Sequence, residues 1–356
     1  MYTTNRYPVS RTWTIIWAGA GLLALALMGS CSKEGFSNKA LVFEQPSNFP
    51  ALRYNLSRNP PTEKGFELGR QLFYDAILSV DGTLSCGSCH QQPVAFAHAA
   101  HAVSHGVNDQ DGLRNAPAIQ NMAFYRHFMW DGGIFDLDLQ PLSPIENHIE
   151  MGERLDRVLT KLREHPEYPK RFEQAFGSRE ITSARMLQAF SQFMVMMVSA
   201  NSKYDKWVRA EQGTSLTAQE QAGFQVFQQK CKSCHATDLF TDQSFRNTGL
   251  APTSVNDLGR YGVTLDPADQ YKFRVPSLRN VAMTAPYMHD GRYRTLEAAI
   301  DHYRSRVQAT ANLDPILQQG GNVGIALSDT EVQQLVAFLH TLTDDTFLRD
   351  PRFAER

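Results

Sequence analysis

Neither sign of charge dominates this chain of 356 residues: 35 lysines and arginines face 37 aspartates and glutamates. Nucleic acid and acidic polymers are recognised by a basic surplus, so the balance argues against both as partners. Long apolar runs are equally scarce. The one that stands out, Trp13 to Met28, follows Arg6 and Arg11 and ends in Gly29-Ser30-Cys31. It is short for a membrane span and suits the core of a signal peptide. Small residues before Cys31 fit a lipoprotein processing site, although Met28 departs from the Leu, Val or Ile usual there. The expectation is an exported chain whose membrane contact is a lipid on Cys31. The alternative is plain secretion with Cys31 a stray thiol.

Cysteine is scarce too, with five in all, and four of the five are spent in one pattern. Two disulfides would be the first thought for four cysteines in an oxidising compartment. The spacing says otherwise: Cys86-Gly-Ser-Cys89-His90 and Cys231-Lys-Ser-Cys234-His235 each place histidine directly after Cys-x-x-Cys. This is the attachment pattern of haem c. Two thiols one helical turn apart reach both vinyl groups of one porphyrin, and the histidine becomes the proximal iron ligand. A redox dithiol or half a zinc site is the competing reading of either motif alone.

An internal repeat surrounds the motifs. Gly65–Phe73 and Ala222–Phe227, upstream of each, space apolar residues as short amphipathic helices do. Downstream, Pro117, Asn121, Met129, Asp131, Gly132 and Leu137 recur 159 residues later as Pro276, Asn280, Met288, Asp290, Gly291 and Leu296. The expected fold is mainly α: two cytochrome c-like haem domains related by duplication, with long irregular loops. Ile181 to Arg209 reads as one long helix linking them, starting at Thr182 or Ser183. A last helix is expected from Ser328 to Leu342, with Ser328 and Glu331 forming a capping box.

Differences at equivalent positions predict different chemistry. Trp130 corresponds to His289, and Pro144 to Tyr303. Proline cannot ligate iron and tyrosine can, so the first haem is the candidate reaction centre and the second the electron reservoir. Tyr303 as a merely packed aromatic remains open. Gln140, Glu146 and Glu150 are polar candidates for the distal side of the first haem, where peroxide cleavage needs a proton-transferring base.

The chain resembles the bacterial dihaem cytochrome c peroxidase family, including its MauG-type branch, over about residues 55–345. The strings that carry this are Arg114–Pro117, Trp130–Gly132, Glu150–Gly152, Leu258–Arg260, Val275–Asn280 and Thr284–Gly291. The resemblance implies Glu150 as distal acid/base with Gln140 beside it, and Trp130 on the electron path between haems. It implies calcium held by Asn115 and the carbonyls of Thr284 and Pro286, an oxygen set suited to a hard cation. Typical members carry methionine where this chain has Tyr303, which looks like the MauG-type branch; His302, Met283 and Met288 are alternative ligands. Ser104-His105-Gly106 sits where many members have a distal histidine, so His105 is expected there; the alternative is a five-coordinate iron with His98, His101 and His105 as loop histidines.

The resulting division is a lipoprotein-type signal peptide (1–30), a tether (31–54), a peroxidatic domain (55–180), a linking helix (181–212), an electron-transfer domain (213–345) and a tail (346–356). The expected activity is reduction of hydrogen peroxide by a periplasmic enzyme. Its electrons come from a small cytochrome c or cupredoxin through the second haem, and a homodimer is allowed. MauG-like oxidation of a partner protein through high-valent haems is the enzymatic alternative. A dihaem electron-transfer lipoprotein is the non-enzymatic one.

Overall fold

The computed structural model describes residues 38–356, so the leader, Cys31 and the first part of the tether lie outside the described residues. The N-terminal half contains α1 (Glu63–Tyr74), α2 (Cys86–Cys89), α3 (Leu142–Glu146), α4 (Leu155–Glu164), α5 (Tyr168–Phe176) and α6 (Ser183–Val195), with α7 (Lys203–Val208) after it. The C-terminal half contains α8 (Ala218–Lys230), the strands β1 (Phe245–Arg246) and β2 (Phe273–Arg274), α9 (Tyr261–Thr264), α10 (Leu296–Asp301), α11 (Asp329–His340) and α12 (Asp345–Leu348). The two strands pair antiparallel, and most of the remaining chain is loop and single-turn helix. No helix among the described residues is long and apolar enough to cross a membrane.

Helix starts follow side-chain caps. Thr62 caps α1, Thr182 caps α6, and capping boxes open α8 (Thr217 with Glu220) and α11 (Ser328 with Glu331). In each half the helix before the haem motif lies against the last long helix, α1 on α6 and α8 on α11. Glycine sets both crossings: a Cβ on Gly69 would collide with the Ala189 carbonyl, and one on Gly223 with the Gln334 carbonyl. Only a residue without a side chain lets the backbones approach so closely.

The duplication extends to the backbone. Asn121 and Asn280 are both left-handed, at φ 58° and 55°, and each opens a single helical turn. Asparagine tolerates that conformation because its side chain bonds locally. Here each side chain reaches further: Asn121 Oδ1 accepts the Ser199 N–H, and Asn280 Oδ1 accepts the Asp344 N–H. Each asparagine thereby clamps the segment that follows its half's last long helix. The bridges Phe128–Ile134 and Tyr287–Tyr293 are a further equivalent pair.

Three expectations about the connections are corrected. The linking segment is two helices, α6 and α7, because Asn121 takes the backbone at Ser199 out of helical pairing. α6 instead packs into the first half's core through Phe190 and Phe193. The described part of the tether is not free: Phe49 is buried against Phe124, and Leu41 N–H bonds the Pro61 carbonyl. The tail is a strap, its Phe347 and Phe353 buried in the N-terminal core and Phe347 packed against Phe96. Apolar burial drives both.

The halves meet around a fully buried ion pair. Arg279 donates to both oxygens of Asp205, at 2.8 and 2.7 Å, and to the carbonyls of Asp238 and Ser199. Burial pushes the Asp205 carboxyl up, but the guanidinium outweighs it and holds the carboxyl below its usual range.

Candidate functional site

Both Cys-x-x-Cys-His motifs open onto cavities. In the first, α2 is a single turn whose capping box, Ser85 with Ser88, fixes its start, so Cys86 and Cys89 face one cavity and His90 follows as its C-cap. The His90 Nδ1–H donates to the Phe96 carbonyl at 2.7 Å. In the second half the His235 Nδ1–H donates to the Phe240 carbonyl at 3.0 Å. That bond fixes the tautomer and leaves Nε2 with a lone pair for a metal, the usual arrangement behind an axial histidine. Burial lowers the pKa of both imidazoles, which keeps them neutral.

The competing readings of the motifs fail on the same geometry. None of the four cysteines is in a disulfide. Burial pushes the Cys86 and Cys231 thiols up to about 12, the opposite of an activated redox dithiol. Among the described residues no group of three or more His, Cys, Asp or Glu is placed to hold an ion, so a zinc site has no ligand set. Two thiols, a histidine with a free Nε2 and a mainly apolar wall fit a covalently held haem in each cavity.

The cavities differ in volume: the N-terminal one measures about 620 Å³ and the C-terminal one about 250 Å³. Glu150, Gln140 and Trp130 all line that first cavity together with Cys86, Cys89 and His90. Burial raises the proton affinity of Glu150, and a 2.8 Å hydrogen bond from Asn147 Nδ2 to Oε1 opposes the rise. Glu146 is turned away, its Oε1 accepting the Leu155 N–H. Asn147 was not among the sequence candidates; its signal is the Asn-x-x-Glu spacing within one irregular turn. Trp130 lines both cavities and donates from Nε1 to the Asn115 carbonyl at 2.8 Å.

His105 reaches the rim of the first cavity with both ring nitrogens engaged. Nδ1 pairs with Asp111 at 2.7 Å, and Nε2 with His101 Nδ1 at 2.8 Å. With Nδ1 donating to the carboxylate, a neutral His105 spends its Nε2 lone pair on His101. His98 stacks on His101, and burial drives its pKa down to about 4.

In the second cavity, α10 continues into a π-helical turn over His302–Arg306 that carries Tyr303 to the cavity wall near Cys231 and Cys234. Such wide turns cluster at functional sites. Burial raises the Tyr303 pKa, and its hydroxyl has no protein hydrogen-bond partner among the described residues. Of the alternatives, Met288 also lines this cavity. Met283 is 39% exposed, and His302 is tied to the Thr248 carbonyl and Tyr293. Asn115, Thr284 and Pro286 all line this cavity. Asn115 Nδ2 donates to the carbonyls of His101 and Ala102, which directs Oδ1 the other way.

Comparison with known proteins places the chain in a family. A family model described as di-haem cytochrome c peroxidase matches residues 63–213, and one described as cytochrome c matches residues 220–343. The methylamine utilization protein MauG of Methylorubrum extorquens is 32% identical, over 94% of this chain and 94% of its own. The cytochrome c551 peroxidase of Nitrosomonas europaea is 34% identical, over 78% of this chain and 80% of its own. A crystal structure described as a MauG-like protein associated with microbial copper homeostasis matches with a TM-score of 0.79 and 34% identity, over 88% of this chain and 99% of its own. Relatives named MauG and relatives named peroxidase are about equally similar to it. The chain belongs to the dihaem cytochrome c peroxidase family, with a haem c for each of its two cytochrome c-like domains.

Proposed function

We propose that the protein reduces hydrogen peroxide to water in its N-terminal cavity, in the periplasm, with electrons from a small cytochrome c or cupredoxin that enter through the C-terminal haem. The observation that carries this is Glu150, a carboxyl of raised proton affinity lining the same cavity as Cys86, Cys89 and His90. Haem, when bound, supplies the iron-centred redox chemistry. Glu150 takes a proton from one peroxide oxygen and delivers it to the other, so that two electrons and two protons convert one peroxide into two waters. Gln140, on the same wall, orients the peroxide as a polar neighbour. Trp130 bridges the two cavities as the electron path. To act as a distal ligand His105 would exchange its Nε2 contact with His101 for iron while keeping the Nδ1–Asp111 bond, so peroxide access on this proposal requires that His105 stays on His101.

Calcium belongs to the same proposal. Asn115 Oδ1 and the carbonyls of Thr284 and Pro286 would hold it with neutral oxygen, joining the two halves. A lipid on Cys31 would supply the membrane attachment.

Glu150→Gln tests the main reading in a steady-state peroxidase assay. Peroxide binding is retained and turnover falls by about 10²–10⁴-fold, the usual contribution of a general acid–base group. A fall of less than about tenfold would remove Glu150 from the role.

Tyr303 favours a second reading, the oxidation of side chains on a partner protein as in MauG-type relatives. Its free hydroxyl at the second cavity suits an anionic oxygen ligand to iron.

A further inference from the structure

Arg274, on β2, is 8% exposed and has no ion pair among the described residues. Its backbone N–H donates to the Trp130 carbonyl at 2.7 Å and its Nε to the Met129 carbonyl at 3.3 Å. The guanidinium lies over the Tyr125 ring, 5.1 Å from its centroid, while Nη1 is buried without any partner. The side chain lines both haem cavities. Every other cation lining either cavity is already matched by a carboxylate. Arg114 holds Asp131 and Asp257, Lys230 holds Glu331, Arg246 holds Asp242 and Asp314, and Arg279 holds Asp205.

A buried guanidinium without an anion is among the most costly arrangements a fold can contain, because desolvation is left uncompensated. Burial accordingly lowers the Arg274 pKa. The fold would not keep such a charge unless an anion reached it. The cofactor brings the anions: each haem c carries two propionate carboxylates, and a guanidinium fork matches a carboxylate in two-point contact.

We propose that Arg274 is the shared cation of the two haem groups, its guanidinium holding a propionate from each cavity and setting both reduction potentials. The inference rests on haem in both cavities and on neither reading of the reaction. A positive charge close to both irons favours the added electron, so it raises both potentials together. It also offsets the repulsion between propionates brought to the two sides of one wall. Arg274 touches the Trp130 and Met129 backbone, so the same residue holds the wall through which electrons pass.

Arg274→Gln in the holoprotein tests this by potentiometric titration, with the two haems followed by their absorbance. A pyridine haemochrome assay run in parallel counts haem independently of potential. The expected result is two haems per chain with both midpoint potentials shifted downward, and recovery of most of the shift in Arg274→Lys, which keeps the charge. A purely packing role would not produce recovery that follows charge. Unchanged potentials, or a shift in one haem alone, would overturn the shared-cation assignment. A wild-type count below two strikes at haem occupancy instead. Should Arg274→Gln not mature, Arg274→Lys carries the test: loss of the two-point fork shifts the propionate carboxylate bands in redox-difference infrared spectra, and unchanged bands would refute the proposal.

Discussion

Asn147→Ala gives the sharpest test of how the first cavity controls its base. Glu150 works as a base only when ionised, so activity falls on the acid side through its pKa in the free enzyme. Burial sets that pKa above the ordinary carboxylate range, and the 2.8 Å bond from Asn147 Nδ2 limits the rise. Hydrogen bonds to charged groups contribute about 1.5–3 kcal/mol, and one pKa unit corresponds to about 1.4 kcal/mol. Removing the donor therefore moves the acid limb of kcat/KM to higher pH by about one to two units. Activity above the limb stays within a few fold, because the base itself, Glu150, is retained. In Glu150→Gln the limb disappears along with most of the activity. The assay is peroxide turnover across pH with a reduced small cytochrome as donor, the donor's own pH response being measured separately. A limb that stays in place in Asn147→Ala, or survives in Glu150→Gln, refutes the reasoning.

Three further outcomes are expected. Tyr303→Met raises the potential of the second haem and changes its low-spin spectrum, since thioether favours ferrous iron and tyrosinate ferric; a spectrum and potential equal to wild type make Tyr303 a packed aromatic and remove the main support for the MauG-like reading. Strong calcium chelators slow electron transfer between the haems without releasing either; indifference to chelators, with only water at Asn115, Thr284 and Pro286, removes that site. Asp205→Asn strands the buried Arg279 and costs about 3–5 kcal/mol at neutral pH, seen as a lower thermal midpoint. Because the folded-state pKa of Asp205 is depressed, the wild-type advantage is present above the unfolded carboxylate pKa and is lost as pH falls through the folded value. Equal midpoints at neutral pH would show that the pair contributes nothing.

Local chemistry was the legible part of the sequence. Cys86-x-x-Cys89-His90 and its repeat need only one helical turn and the next residue to define themselves, and the caps of α6 and α11 lie within four residues. The 159-residue offset was legible because the fold reuses unusual backbone, left-handed at Asn121, Asn280, Met129 and Met288, which few residues accept. What stayed hidden depends on long-range contact. Phe49, Phe347 and Phe353 belong to irregular segments without a period, so nothing in their spacing announces burial. The break after α6 is imposed from Asn121, 78 residues away. Glu146 and Glu150 are alike as sequence; only the turn at Asn147 decides which one faces the cavity. His105 reads as a free ligand until His101 and Asp111 close on it.

The paired halves also explain how one duplicated frame can support two unlike haem sites. Pro144 in α3 and Tyr303 in the π-helical turn occupy equivalent positions, each on the wall of its own cavity. Proline offers no side-chain donor; tyrosine offers a phenol oxygen with no hydrogen-bond partner among the described residues. Trp130 and His289 are equivalent as well, yet Trp130 spans both cavities while His289 stacks on Phe273 at 3.7 Å, beside the domain boundary. The frame repeats at Asn121 and Asn280, while α3 and the π-helical turn present unlike side chains to the two cavities. Exchanging Pro144 and Tyr303 would therefore alter ligation without moving α1 on α6 or α8 on α11, whose crossings are set by Gly69 and Gly223.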